Sequence, residues 1–428
     1  MKLSVFWFRR DLRLEDNVGL SKALESGFPV LPVFIFDKNI IEELSSSDPR
    51  VNFIYDRLSL IDKKLKKHGS SLKVIYGDPI EEWKRLMEEH QIAAVYWNKD
   101  YEPYALERDA NLRKALKEKL IASHSFKDQV IFEAGEVFKA DGGPYTVYTP
   151  YKNKWLSLFD SSLVKALPKV EFKNFNPHTQ KFPSLKDIGF KSSSIKVRDF
   201  NISELSEYSV SRDFPAPDNT SYLSPHLRFG TLSIRSIIRG LQESDAVFLS
   251  ELIWREFFMQ ILYHFPHVVI NNFRAKYDGI AWRNDEEEYL KWCEGKTGYP
   301  LVDAGMRQLN ETGYMHNRVR MVTAGFLCKH LLIDWRWGEV YFAEKLLDYE
   351  LSSNNGNWQW AAGTGCDAAP YFRIFNPTAQ MQKFDSKMEY VKRWVPEFGG
   401  MDYPNPMVEH KFARQRALDA YKKGILES

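Results

Sequence analysis

The sequence predicts an α/β N-terminal domain, a doubly wound parallel sheet of Rossmann-like type, joined by a long linker to an all-α C-terminal domain. Three observations carry this. Short apolar runs alternate with amphipathic stretches over residues 1–130, periodicity fades over 131–205, and from Ser221 onward only helical spacing persists. Strand–helix alternation marks parallel sheets, whose strands are covered on both faces and read as continuous apolar runs. The domain bounds that follow are 1–130, an interdomain linker 131–205, and 206–428.

Leu3–Phe8, Val30–Phe36, Leu72–Tyr76 and Ala93–Trp97 read as the strands. Between them, Asp78-Pro79 supplies an N-cap followed by proline at the first helical position. Gly69 ends a helix carrying Ile54, Leu58, Ile61 and Leu65. Parallel sheets bind ligands at the carboxyl ends of their strands. Those ends carry Arg9-Arg10-Asp11-Leu12-Arg13, Asp37 and Asn98-Lys99-Asp100-Tyr101-Glu102. No Gly-x-Gly-x-x-Gly is present, so a dinucleotide site in this half has no support. Gly142-Gly143-Pro144 and the Lys-, Ser-, Pro- and Phe-rich stretch 169–194 mark the linker. Helical spacing then covers Phe248–Phe265, Tyr299–Thr312, Arg318–Leu332 and Gly338–Leu347.

Composition narrows the function classes. With 44% hydrophobic and 27% charged residues over 428 positions, the chain can bury a large core. A disordered chain, a coiled coil and a small disulfide scaffold are excluded. A net charge of +2 and a pI near 8.1 permit a nucleic-acid partner without demanding one. Three cysteines, an odd count without a C-x-x-C pair, suit a reducing compartment. The run before Arg9-Arg10 is too short for a signal peptide, and no apolar run reaches the ~18 residues of a membrane span. The expectation is a soluble cytoplasmic protein without a metal cluster.

Aromatic residues make up 14% of the chain, and eight of its 12 tryptophans follow residue 250. A packed aromatic core explains most of them. The sharper reading is that this half handles a planar ligand or moves electrons. In the string Glu251 to Phe258, residues Glu251, Trp254, Arg255 and Phe258 share one helix face. On that string alone, an amphipathic helix with an ion pair at its rim is the plainer reading. Further strings are Tyr314 to Met321, Asn354 to Trp360 with Gly363 to Asp367, and Arg373 to Pro377 with Gln380 and Lys383. Buried amides need partners, which a ligand would supply. His316 alone reads as a satisfied core histidine.

From Phe6–Arg13 to Tyr403–His410, and most densely between Trp292 and Lys383, the chain resembles the photolyase/cryptochrome family, specifically the class I type that repairs cyclobutane pyrimidine dimers. The resemblance implies an antenna-chromophore domain, a helical FAD-binding domain, and a carbon–carbon lyase. In it, excited FADH⁻ donates an electron to a flipped-out dimer. Carried over by motif, Tyr208, Thr220, Ser221, Tyr222, Leu223 and Ser224 would hold the FAD phosphates and ribitol. Arg255, Arg320, Asp348, Glu350 and Asn354 would line the flavin, with Asn354 at N5 and Arg320 paired with Asp348. Trp358, Trp335 and Trp282 would form the relay that photoreduces the flavin.

The dimer pocket would comprise Glu251, Trp254, Asn317, Met321 and Trp360, and Arg318, Gln380 and Lys383 would contact DNA. Trp254 and Trp360 would stack on the dimer, and Glu251, if protonated in a desolvated pocket, would donate to a pyrimidine carbonyl. The implied partner is damaged DNA, with no membrane and no obligate protein partner. The protein would be a monomer, cytoplasmic and nucleoid-associated when bound to DNA.

Asn317 stands where (6-4) photolyases carry the second of two histidines. A DASH-type cryptochrome acting on single strands and a blue-light photoreceptor stay open within the family. A flavin electron carrier, outside it, would need none of the pocket residues. The antenna chromophore is open among deazaflavin, folate and flavin, or none. A folate-binding histidine near Ser46–Arg50 is missing, although Glu107 matches a folate contact. The stretch Tyr96–Tyr104 resembles deazaflavin-binding relatives more closely, with Asp100 the best single contact.

Overall fold

A computed structural model describes residues 2–203 and 205–427. Two compact units divide the chain. The first comprises Met1–Val137, Lys154–Phe200 and Tyr222–Glu243, and the second comprises Phe138–Asn153, Asn201–Ser221 and Ser244–Ser428.

Among its described residues, the first unit is built on a five-stranded sheet. The strands are β1 (Leu3–Phe8), β2 (Val30–Asp37), β3 (Lys73–Gly77), β4 (Ile92–Asn98) and β5 (Ala122–Phe126). They pair in parallel in the order β3-β2-β1-β4-β5. Every residue of β1 and β2 is buried, the condition that produces unbroken apolar runs. On one face Phe6, Phe8, Phe34 and Phe36 meet Leu58, Ile61 and Leu65 from helix Pro49–Lys66. On the other, Trp7 and Trp97 meet Trp83, Leu112 and Leu116. β5 is an addition to the sequence reading. Its Ala-Ser-His-Ser-Phe edge strand is half exposed and has no apolar run to betray it.

Helix caps follow local chemistry. The Asp78 side chain accepts from the N–H groups of Ile80 and Glu81, and Pro79 occupies the first helical position. Because β1 lies between β2 and β4, the strand order reverses at the carboxyl ends of β1 and β4, where open α/β sheets bind ligands.

The second unit is helical. Its main elements are Ala246–His264, Pro300–Thr312, Asn317–Gly325, Trp335–Lys345, Leu351–Ala362, Pro377–Phe384 and His410–Glu427. Leu327, Trp292, Trp335 and Trp358 lie in their common core. The single helix expected over Arg318–Leu332 instead changes character. It is α-helical over Asn317–Gly325, widens to a π-helical turn over Phe326–Leu331, and stops at Leu332, whose φ is +54°. Within that turn lies Lys329, fully buried, its Nζ donating to Ala362 O at 2.6 Å over the ring of Tyr421. No described helix is long and apolar enough to cross a membrane.

Candidate functional site

Helix Ala246–His264 carries Glu251, Trp254 and Arg255. Arg255 faces Glu350, Nε to Oε2 at 3.4 Å, and Glu350 caps the start of helix Leu351–Ala362, so one ion pair ties these two helices. Glu251 Oε1 lies 2.7 Å from Arg212 Nη1, and Arg212 also sits over the Tyr208 ring. Tyr208 in turn meets Phe248 edge-on at 5.1 Å. Glu251, expected to donate if protonated in a desolvated pocket, is here partly exposed and accepts from the Arg212 guanidinium. Trp254 also departs from expectation, because one face of its indole is already covered by Tyr148, with centroids 3.6 Å apart. What remains open of this half-buried side chain is what a base can meet.

His316 caps helix Asn317–Gly325, its Nδ1 accepting from Arg318 N at 3.2 Å. That bond leaves the proton on Nε2, and burial lowers the imidazole pKa to about 4, so the ring is neutral. Asn317 is exposed and Met321 half-buried on the same helix. Arg318 pairs with Asp213 at 2.6 Å and lies 4.3 Å over the Phe384 ring, which Lys383 approaches at 5.0 Å. Two cations from different helices thus converge on one phenylalanine, and Gln380 shares the helix of Lys383. Arg320 Nη2 pairs with Asp348 Oδ2 at 2.9 Å, and its Nε donates to Met315 O.

Helix Leu351–Ala362 carries Asn354, Trp358 and Trp360. The buried Asn354 donates both hydrogens of its amide to Glu339, whose carboxyl is itself raised in pKa by burial. Trp358 rests on Gly338, where an added Cβ would fall 2.1 Å from the ring, and meets Phe342 and Trp292 edge-on. Trp335 is fully buried and donates Nε1–H to Asn272 at 2.9 Å. Trp282 is half-buried, packs against the core that holds Trp335 and Trp358, and meets Tyr421 edge-on at 5.9 Å.

Thr220 and Ser221 belong to the second unit, whereas Tyr222, Leu223 and Ser224 belong to the first. Ser221 O accepts from Asn201 N at 2.9 Å. Tyr222 has φ +52°, and its hydroxyl accepts from Arg198 Nη1 at 2.6 Å. Leu223 is buried, and Ser224 opens the helical turn Ser224–Arg228. At the sheet's carboxyl end, Asp100 is engaged by Arg10 at 3.1 Å. Burial opposes its charge, but the guanidiniums of Arg10, Arg9, Arg228 and Arg108 outweigh it and hold the carboxyl well below its usual range. Glu107 is exposed on helix Pro103–Glu118.

The donor set of the second unit fits FAD. Asn354 offers its carbonyl oxygen to an N–H, Arg320 and Asp348 offer a charge pair, and among the described residues Ser352 Oγ is buried without a hydrogen-bond partner. Three residues escaped the sequence reading. Arg212 stands one helical turn beyond Tyr208, a spacing that could have been read. Tyr148 lies in the aromatic stretch Tyr145–Tyr151, inside the expected linker 131–205, and Glu339 carries no signal in the sequence.

Known proteins resemble this chain in sequence and fold. The family described as "DNA photolyase" matches residues 4–171, and the "FAD binding domain of DNA photolyase" matches residues 248–402. A deoxyribodipyrimidine photo-lyase of Halobacterium salinarum is 36% identical, over 98% of this chain and 99% of its own. The crystal structure of a class III photolyase from Agrobacterium tumefaciens superposes with a TM-score of 0.84 at 33% identity, covering 100% of this chain and 98% of that one. An archaeal photolyase from Sulfolobus tokodaii, solved with two FAD molecules, gives 0.83 at 35% identity, covering 98% and 99%. With both halves matched and relatives aligned end to end, the chain belongs to the DNA photolyase family.

Proposed function

We propose that this protein uses blue light to reverse cyclobutane pyrimidine dimers in DNA, as a carbon–carbon lyase of the class I type that its sequence resembles. The observation that carries the reading is the Arg255–Glu350 ion pair. It couples the helix bearing Glu251 and Trp254 to the helix bearing Asn354, Trp358 and Trp360. Electron transfer needs donor and acceptor held at fixed separation, and this pair fixes the substrate-type residues against the flavin-type ones.

FAD, when bound and reduced, supplies the electron that opens the cyclobutane ring and receives it back afterwards. The chain's own residues bind, orient and exclude water. A dimer stacks and pairs poorly, so flipping it out costs less than flipping normal bases. Trp254 and Trp360 enclose the flipped dimer, at roughly 1–3 kcal/mol per stacked base, while Asn317 and Met321 complete the wall. Glu251, when protonated in the desolvated pocket, donates to a pyrimidine carbonyl, and Arg212 is its partner while the pocket is free of DNA. Arg318, Gln380 and Lys383 contact the DNA flanking the lesion, the two cations at phosphates, and Arg318 Nε is a buried donor with no hydrogen-bond partner among the described residues.

Tyr208, Thr220, Ser221, Tyr222, Leu223 and Ser224 hold the FAD phosphates and ribitol, and Arg255, Arg320, Asp348, Glu350 and Asn354 its ring system. Trp358, Trp335 and Trp282 relay electrons to it. The first unit, with residues 1–130 at its centre, is the antenna domain, and the second is the catalytic domain, so the expected boundaries at 131–205 and 206–428 shift to those of the two units. Asp100 and Glu107 are the antenna contacts for a deazaflavin, folate or flavin. The protein works as a cytoplasmic monomer that joins the nucleoid on binding DNA.

The test is a thymine-dimer duplex, reduced holoenzyme and blue light, read by recovery of thymine ultraviolet absorbance. Repair of duplex confirms the reading. Repair of single strands alone indicates a DASH-type enzyme, and no repair with normal photoreduction indicates a photoreceptor.

A further inference from the structure

We infer that Tyr148 is a positioning residue that presets the indole of Trp254 for the flipped dimer. The inference rests on the assignment of Trp254 to the dimer pocket. The Tyr148 ring lies flush on that indole, with centroids 3.6 Å apart and planes within 9° of parallel. Its hydroxyl donates to Ser250 O at 2.5 Å and lies 2.7 Å from Ser250 Oγ. Ser250 and Trp254 are one turn apart on the same helix, so a single side chain grips that helix at two points. The backbone N–H of Tyr148 donates to Asp367 Oδ2 at 3.0 Å, which fixes the clamp from behind.

Several features make this a preset surface and not ordinary filling. Tyr148 is buried, 6% exposed, while Trp254 keeps part of its indole open. Phe258 at 5.4 Å and Phe257 at 5.6 Å complete a ring of aromatic neighbours, but neither lies as close or as parallel as Tyr148. Burial, with the nearby Glu251 charge, raises the Tyr148 phenol far above neutral pH, so the hydroxyl stays a donor at any working pH. An indole left loose at a pocket mouth pays its ordering entropy on every binding event, whereas one already stacked has paid it on folding. Specificity for the lesion therefore depends on a residue that touches neither the flavin nor the dimer.

The experiment compares FAD-loaded Tyr148→Leu, Tyr148→Phe and Trp254→Ala with the parent, measuring binding to dimer-containing and undamaged duplexes. Tyr148→Leu should weaken dimer binding about five- to tenfold, the size of one aromatic stack. Undamaged-duplex affinity, FAD content and dimers split per absorbed photon at saturating substrate should stay at parent values. Tyr148→Phe keeps the ring and should remain within about twofold of the parent. Parent-like dimer binding by Tyr148→Leu, alongside a weakened Trp254→Ala, would overturn the inference while leaving the pocket intact. So would an equal loss on both duplexes, or a loss of FAD, either of which marks a merely structural role. Full dimer affinity in Trp254→Ala would overturn the pocket assignment and this inference with it.

Discussion

Glu339 holds both hydrogens of the Asn354 amide, one on its backbone carbonyl and one on Oε1, each at 3.0 Å. An asparagine so held cannot turn over, and the only polar atom it can offer elsewhere is Oδ1. The pair therefore leaves Asn354 only an acceptor to offer, which is the direction a hydrogen bond from the N–H of a bound flavin would take.

Glu339→Leu should retain the fold and the bond to the backbone carbonyl but remove the one on Oε1, loosening the Asn354 amide and weakening FAD retention by roughly 1 kcal/mol, the net worth of a buried hydrogen bond. FAD loss on dilution, followed by fluorescence, measures this. Asn354→Ser should cost a similar amount, and the double variant should cost little more than either, because both remove the same contact. Additive losses would show that the two residues act separately.

Trp358→Phe should slow photoreduction of oxidised FAD by at least about tenfold while sparing repair by chemically reduced enzyme, because the relay charges the flavin and takes no part in ring opening. Transient absorption after a laser flash and a repair assay on the same preparation separate the two. Equal photoreduction in the variant would break the relay assignment. The ring's seat on Gly338 makes phenylalanine the safer replacement, since it is smaller than the indole.

Lys383→Ala should weaken dimer-containing and undamaged duplexes alike and lower the salt slope by about one unit, the signature of one phosphate contact. The net charge of +2 supplies little general attraction, so this local cation matters. Selective loss of lesion binding would place Lys383 in the pocket instead.

Burial lowers the Lys329 ammonium pKa to about 7, from an ordinary 10.5. Between those values the unfolded chain binds more protons than the native one, so native stability must rise with pH across that window and flatten below it. Urea titrations of the parent and of Lys329→Met from pH 6 to 10 should show the parent gaining relative to the variant as pH rises. A constant difference would mean that Lys329 keeps its proton throughout.

What could be read in the sequence was whatever is local. β1 and β2 are apolar from end to end because both their faces are covered, and Asp78-Pro79 announces a helix start by backbone chemistry alone. β5 was illegible because an edge strand of Ala, Ser and His has no covered face to record. The π-helical turn at Phe326–Leu331 keeps helical spacing in its apolar residues, so periodicity could not register the change. Candidate site residues stood out as types, but their partners did not. Glu251 meets Arg212 from 39 residues away, and Tyr148 reaches Ser250 from 102, distances over which no pattern survives. The reading of Glu251 as an isolated carboxyl could not include Arg212, a neighbour that only the fold supplies.

The first unit is assembled from three separate stretches, the last being Tyr222–Glu243. Within it Asp128 is wholly buried between Arg13 at 2.6 Å and Arg235 at 2.9 Å, and Arg235 follows Asp128 by 107 residues. At a translation rate of about 5–20 residues per second, the ribosome delivers that second guanidinium on the order of 5–20 s after the carboxylate. Until then the buried acid has only Arg13 and the Val18 N–H, among its described partners, to offset its desolvation, and the sheet's neighbours are incomplete. The nascent N-terminal half must therefore wait for sequence that lies beyond its apparent end. A gene cut at the linker would yield two products that each lack a piece of themselves.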